Sequence, residues 1–160
     1  MQYPDTYQNL VELYDGTLMF NSIAGQLNNI TQASLDHQAK LTLDEAVELS
    51  ESGTDKQNAL KEAIDVLVTA FGYIQKLEKT YGCDVALAMN IVNENNLSKF
   101  AENADDLLHS VRMYMDKGVK VDVQYDEESG LFCLKDEAGK VRKPDWYKDA
   151  DLSECFETEH

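Results

Sequence analysis

Apolar residues recur along most of the chain at intervals of three and four positions. Between residues 55 and 79, the residues at positions 60, 64, 67, 71 and 74 are Leu, Ile, Leu, Phe and Ile. This spacing places them on one face of a helix. The same pattern predicts six helices, at about residues 5–14, 20–30, 34–51, 55–79, 84–94 and 103–117. Glycines at positions 16, 53, 82 and 118 mark predicted helix ends.

The period of the pattern changes after Gly118. Val119, Val121, Val123 and Tyr125 alternate with polar residues, which is the spacing of a strand. A turn at residues 128–130 and a second apolar run at 131–134 predict a small β-hairpin. We therefore predict an all-α helical bundle with a C-terminal β-hairpin. Residues 1–117 would form the helical body, and residues 118–160 a hairpin and a loosely held acidic tail on the same domain.

The charge of the chain restricts its ligands. It carries 30 acidic and 14 basic side chains, a formal net charge of −16. Such a surface repels nucleic acids, because duplex binding requires Lys and Arg to neutralise phosphates. Most of the acids are expected to serve solubility. A substrate that carries phosphates would need metal ions to bridge it to this protein.

The cysteines and the hydropathy pattern bear on the compartment. The three cysteines are widely spaced and form no C-x-x-C pair, which favours reduced thiols over a disulfide framework or a zinc site. No apolar run approaches the roughly 18 residues of a membrane helix. The first residues lack the basic flank and apolar core of a secretory signal. We expect a cytoplasmic protein that binds no membrane.

One acidic residue lies in an apolar setting. In the segment AIDVLVTAFGYI, Asp65 is the only charge, so its carboxylate is expected to be buried and to need compensation. Glu62 precedes it by one turn, and Glu45 and Glu48 form a second pair on the preceding helix. If the two helices pack antiparallel, four carboxylates converge. Oxygen ligands in that number suit Mg²⁺ or Mn²⁺ rather than zinc.

Each of these acids also has an ordinary interpretation. Glutamates on helices are usually solvated, and Glu62 has Lys61 beside it as an ion-pair partner. Asp65 would then form a structural salt bridge. Glu51 is a rival ligand, because it too lies three residues from Glu48. We favour the earlier pair, since Glu51 adjoins the predicted helix end.

Two later segments carry candidate ligand-binding groups. The stretch NENNLSKF, residues 93–100, offers amides that can bind a nucleobase or orient metal-bound water. Lys99 within it suits phosphate oxygens. Taken alone, the stretch is a helix end with surface polar groups. Lys140, Arg142 and Lys143 form a basic cluster that either closes over phosphates or balances the acidic tail.

Together these segments resemble the all-α NTP pyrophosphatase superfamily, which includes MazG-like enzymes, phosphoribosyl-ATP pyrophosphohydrolases and dimeric dUTPases. The family signature is E-x-x-E, a gap, and E-x-x-D. Here Glu45 and Glu48 are followed, after 13 intervening residues, by Glu62 and Asp65. The similarity covers about residues 38–152. The similarity includes the apolar helix with its glycine (66–72) and the Asn-x-x-Lys element (93–100). The basic segment at residues 139–144 is similar to that of the phosphoribosyl-ATP pyrophosphohydrolase-like branch, which is often phage-encoded.

The resemblance implies a function and a set of site residues. It implies a hydrolase that cleaves a nucleoside triphosphate to the monophosphate and pyrophosphate, in a bacterial or phage-infected cell. The implied Mg²⁺ ligands are Glu45, Glu48, Glu62 and Asp65. Glu48, or its neighbour Glu45, would activate the attacking water. The implied substrate-binding residues are Asn93, Asn96, Lys99, Lys140 and Lys143.

The oligomeric state and the substrate are further expectations. A glycine inside the apolar helix, Gly72, costs about 1 kcal/mol relative to alanine, which close helix packing would compensate. That helix carries more apolar surface than one small bundle covers, so we expect a homodimer or a larger homo-oligomer. Phosphoribosyl-ATP and a dGTP-type phage nucleotide are alternative substrates. An alternative of another class is a non-catalytic acidic module that binds a nucleotide or a protein.

Overall fold

The computed structural model describes residues 4–156, with side chains from Thr6 onward. The helices are α1 (Pro4–Ile23), α2 (Gln32–Glu51), α3 (Lys56–Tyr81), α4 (Val85–Leu97) and α5 (Ala104–Asp116), followed by strands β1 (Val121–Asp126) and β2 (Leu131–Asp136) and a 3-10 turn (Ser153–Cys155). Of the described residues, 62% are helical, which confirms the predicted mostly helical class with a small hairpin. In the described range, every helix is too short or too polar to cross a bilayer.

The chain divides into two compact units. The first runs up to Val85 and contains α1, α2 and α3. The second extends from Ala86 to Cys155 and contains nearly all of α4, together with α5 and the hairpin.

The ends of α2 and α3 follow from local capping. Thr31 and Ser34 form a reciprocal capping box at the start of α2. The Asp55 carboxylate accepts hydrogen bonds from two backbone amides at the start of α3, and Gly82 ends α3 with φ of 62°. Caps of this kind satisfy amides and carbonyls that have no partner within the helix. The predictions of these two helices are confirmed.

The predicted end of the first helix at Gly16 is wrong. α1 continues through Gly16 to Ile23, because a single helical glycine costs only about 1 kcal/mol. Packing of the later half of α1 offsets this cost, since Thr17 and Asn21 are buried. The chain turns instead at residues 24–30, where Gly25 has φ of 68° and Asn29 has φ of 51°. The predicted separate helix over residues 20–30 is therefore wrong as well.

In the first unit, α1 and α2 both pack on α3. Gln38 near the start of α2 contacts Lys76 near the end of α3, and Glu45 lies near Glu62, so α2 and α3 run antiparallel. Leu35 and Phe71 are buried, and the Tyr14 ring meets Phe71 edge-on with the centroids 5.1 Å apart. A Cβ atom on Gly72 would lie 2.9 Å from Nε2 of Gln38. Neighbouring side chains thus occupy the space that the missing Cβ leaves, as the position of the glycine predicted.

The second unit is built around the hairpin and α5. β1 and β2 pair antiparallel with Val121 opposite Asp136, and Leu134 packs with Ala101 and Leu107 of the buried cluster. Backbone hydrogen bonds of 2.9 and 2.8 Å join Ala101 to Phe132. This extra bridge fixes the hairpin to the segment that precedes α5.

The predicted loose tail from Asp145 onward is wrong for its first residues. The Asp145 carboxylate accepts a hydrogen bond of 2.9 Å from Ser110 Oγ and also contacts His109. Tyr147 donates a 2.6 Å hydrogen bond to Asn95. These contacts hold the segment against α5 and α4. Residues 157–160 of the predicted tail lie outside the described residues.

Candidate metal centre

Three carboxylates converge between α2 and α3. Glu45 and Glu48 lie three residues apart on α2, one turn along the same face, and Glu62 comes from α3. One carboxylate oxygen from each lies within 4.8 Å of the others. The predicted convergence across an antiparallel helix pair is confirmed for these three acids.

Glu62 is the buried member of the group. Only 4% of the residue is exposed. Its Oε1 accepts a hydrogen bond of 3.0 Å from Lys61, whereas its Oε2 is enclosed and has no hydrogen-bond partner among the described residues. A buried carboxylate oxygen without a partner is costly. This oxygen is therefore the atom of the group at which a bound cation could compensate the buried charge.

The acids also repel one another. Burial raises the pKa of Glu45, and the neighbouring charges of Glu48, Asp65 and Glu62 raise it further, in that order, while Lys61 opposes them. The group is thus deficient in positive charge. All its donor atoms are carboxylate oxygens, and such hard ligands fit Mg²⁺ or Mn²⁺ better than zinc. The residues present accordingly suit a divalent cation of this class.

The expectation that Asp65 is the buried acid is wrong. Its side chain is 35% exposed, and its Oδ2 lies 2.8 Å from Lys61 Nζ. The reason is that α3 does not bury every apolar face, since Ile64 and Leu67 beside Asp65 are 40% and 42% exposed. Asp65 lies outside the group of three, although its charge still acts on Glu45.

Lys61 neutralises part of this cluster. Its ammonium group contacts both Asp65 and Glu62, at 2.8 and 3.0 Å. Hydrogen bonds to Asp65 and then Glu62 raise the pKa of Lys61 above its usual value. Lys61 therefore stays protonated, but it leaves Oε2 of Glu62 without a partner.

The rival ligand Glu51 is exposed near the end of α2 and lies outside the group of three. The structure thus favours the Glu45 and Glu48 pair over the Glu48 and Glu51 pair.

The second unit places two of the predicted substrate-binding lysines at one aromatic ring, and a third predicted residue, Asn96, is bonded to one of them. Lys99 and Lys143 lie 5.7 and 4.3 Å from the centroid of the Tyr147 ring. Lys99 also donates a 2.7 Å hydrogen bond to Asn96, and Lys143 pairs with Asp149 at 3.0 Å. The sequence predicted Asn96 and both lysines, but it did not predict that Tyr147 would join them.

The other two predicted residues lie apart from this ring. Asn93 is exposed on α4, and Lys140 is exposed beyond β2. The backbone of Lys140 closes the turn onto Asp136, which also pairs with Arg142 at 2.7 Å. Arg142 thus stabilises the end of the hairpin in this structure.

Sequence reasoning missed a cavity of about 380 Å³ in the first unit. Amide and hydroxyl side chains from all three helices contribute to its wall, among them Thr17, Asn21, Gln38 and Thr69. The available signal was the set of uncharged polar residues within otherwise apolar helix faces.

Comparison with protein-family models, with curated proteins and with solved structures finds no match to this chain.

Proposed function

We propose that this protein is a Mg²⁺-dependent nucleoside triphosphate pyrophosphohydrolase of the all-α NTP pyrophosphatase type. The supporting observation is the unpartnered, buried Oε2 of Glu62 within a group of three carboxylates. Acidic clusters on protein surfaces are common, but they rarely enclose a bare carboxylate oxygen. The order E-x-x-E and then E-x-x-D along the chain gives the same assignment.

The three carboxylates have different roles in this proposal because they differ in burial. Glu62 and Glu45 would hold the cation, because Glu62 is buried and Glu45 is half-buried against it. When bound, Mg²⁺ supplies charge for the triphosphate and acidifies a coordinated water. Glu48 is exposed at the edge of the group, so its carboxylate can orient a water and accept its proton.

The bond changes follow from that assignment. The water oxygen forms a bond to the α-phosphorus, and the bond from the α-phosphorus to the bridging oxygen breaks. Pyrophosphate leaves with that oxygen and its electron pair, and the nucleoside monophosphate remains. The proton of the water passes to Glu48 and then to solvent. This scheme needs no covalent intermediate on the protein.

Homodimerisation is part of the proposal. On α1, Tyr7 and Ile23 are 74% and 81% exposed, and Leu43 and Leu60 on α2 and α3 are 63% and 64% exposed. Apolar surface on this scale commonly marks an interface between proteins. We expect light scattering to give a mass of at least twice the 18.1 kDa chain. A monomeric mass would contradict this part of the proposal.

The function is tested by incubating the protein with the canonical ribo- and deoxyribonucleoside triphosphates and Mg²⁺. We expect release of pyrophosphate together with the monophosphate, and no release in the presence of a chelator. Calorimetric titration of the protein with Mg²⁺ and Mn²⁺ alone gives an independent readout. Absence of both metal binding and pyrophosphate release would contradict the proposal and favour a non-catalytic acidic module.

A further inference from the structure

The cavity in the first unit has the size and lining of a small-molecule site. Its volume of about 380 Å³ lies within the range of about 300–1,000 Å³ that is usual for ligand pockets. Phe20, Leu41 and Val68 provide apolar surface, and Thr17, Asn21 and Gln38 provide hydrogen-bonding groups. A planar heteroaromatic ring needs this combination of apolar faces and polar edge contacts.

The polar wall of the cavity is fixed by its own hydrogen bonds. Asn21 is 4% exposed and donates a 2.9 Å hydrogen bond from Nδ2 to Gln75. Gln38 donates to the Thr69 carbonyl at 3.0 Å and accepts from Lys76 at 2.7 Å. This bond uses one of the two N–H groups of Asn21 and fixes the orientation of its amide, while its Oδ1 accepts no hydrogen bond from the described residues and can accept one from a ligand.

Gly72 allows this wall to form. A Cβ atom at this position would lie 2.9 Å from Nε2 of Gln38 and 3.3 Å from Nδ2 of Asn21. Only glycine on α3 lets both amides pack this closely against the helix. Gly72 thus leaves space for the side-chain amides of Asn21 on α1 and Gln38 on α2.

The cavity lies next to the carboxylates along the groove between α2 and α3. Leu41 and Thr69 line the cavity. Leu41 precedes Glu45 by four residues on α2, and Thr69 follows Asp65 by four residues on α3. Four residues are about one helical turn, or 6 Å of rise. A ligand that fills the cavity can therefore extend to the carboxylates through a spacer of the size of a sugar.

We propose that this cavity binds the base of the nucleoside triphosphate and that Asn21 determines which base is preferred. Oδ1 of Asn21 accepts a hydrogen bond from an N–H group on the edge of the base, and the Phe20 ring packs against its face. The inference rests on the proposed function, because the carboxylate centre would hold the phosphates of the same molecule. A base without an N–H group at that position leaves a buried oxygen unpaired, which is the basis of discrimination.

The test uses the full-length protein with Mg²⁺ and the eight canonical ribo- and deoxyribonucleoside triphosphates. We expect Asn21→Ala to reduce the ratio of kcat/KM between the best and the poorest base by about tenfold or more. Phe20→Ala should raise KM for the best substrate by about tenfold, through loss of ring packing. Neither change should alter the affinity for Mg²⁺, measured by calorimetry without nucleotide.

Two features of the chain make the test decisive. Phe20 and Met19 are adjacent on α1 and equally exposed, at 64%, but Met19 does not line the cavity. Met19→Ala is thus a matched control that should leave KM unchanged. Phe20→Ala removes an exposed ring, so it gives a result even if Asn21→Ala does not fold.

The possible failures are distinguishable. If the wild type releases no pyrophosphate from any nucleotide, the proposed function fails and this inference fails with it. If the wild type is active but the base preference and KM survive both cavity variants, the function stands and this inference is overturned. The inference is also overturned if Met19→Ala raises KM as much as Phe20→Ala does.

Discussion

The Glu62→Gln variant is expected to lose about 10³-fold of its nucleotide turnover. Glutamine keeps the shape of the buried side chain but removes the charge of the unpartnered oxygen, so the cation loses its most enclosed ligand. Metal ions contribute several kcal/mol to such reactions, and each 1.4 kcal/mol corresponds to about a tenfold change in rate. The measurements are pyrophosphate release and calorimetric titration with Mg²⁺.

The control for this variant is Glu51→Gln. Glu51 is an exposed acid near the end of α2 that lies outside the group of three, and its neutralisation changes the net charge of the protein by the same amount. We expect its turnover and its Mg²⁺ affinity to match the wild type. The thermal midpoint of metal-free Glu62→Gln should stay close to that of the wild type, because the change removes a buried charge. Full activity in Glu62→Gln would exclude the carboxylate centre as the site of catalysis.

Alanine is expected to have opposite effects at the two helical glycines of the first unit. Gly72→Ala should destabilise the protein by about 1–3 kcal/mol, as overpacking does, because its Cβ would lie 2.9 Å from Gln38. Gln38 cannot move away cheaply, since both ends of its amide are hydrogen-bonded. Gly16→Ala should stabilise the protein by about 0.5–1 kcal/mol, since a Cβ there has nothing within 4 Å.

Urea denaturation followed by far-UV circular dichroism measures both variants. The midpoint should fall for Gly72→Ala and rise for Gly16→Ala, with the wild type between them. Equal midpoints for the two variants would show that the amides do not enclose Gly72. A fall in both midpoints would contradict the exposed position of Gly16 on α1.

Local signals in the sequence were sufficient to predict the positions of α2 and α3. The three-and-four spacing of apolar residues placed both helices, and Asp55 and Gly82 marked the two ends of α3. The spacing of three residues within each acidic pair predicted that four carboxylates would meet across an antiparallel helix pair, and Glu45, Glu48 and Glu62 do so. These predictions succeeded because each depends on a periodicity that one helix or one helix pair determines.

Predictions that depended on tertiary surroundings were less successful. The residue types around Asp65 are apolar, yet its neighbours Ile64 and Leu67 remain partly exposed, so the buried acid is Glu62. Gly16 had the features of a helix end. α1 nevertheless continues beyond it to Ile23, because Thr17 and Asn21 are buried and stabilise this part of the helix. In both cases the outcome depends on which face another helix covers, and periodicity does not report that.

The cavity could not be predicted from the sequence, because it too depends on tertiary packing. Asn21, Gln38 and Thr69 come from three different helices and are ordinary polar residues in the sequence. Only the glycine at position 72 pointed to a close approach, without indicating which side chains would fill it. The wall of the cavity therefore emerges from packing that no single segment encodes.

Lys61 gives the acidic centre a cation of its own. Its ammonium group bridges Glu62 and Asp65, so the helix pair can reach its native packing with these acids partly neutralised. Under the proposed function, a metal ion at Oε2 of Glu62 would add to this charge, because Lys61 occupies the other oxygen. The exposed lysine would then stay beside the ion, where its ammonium group could meet an incoming polyphosphate.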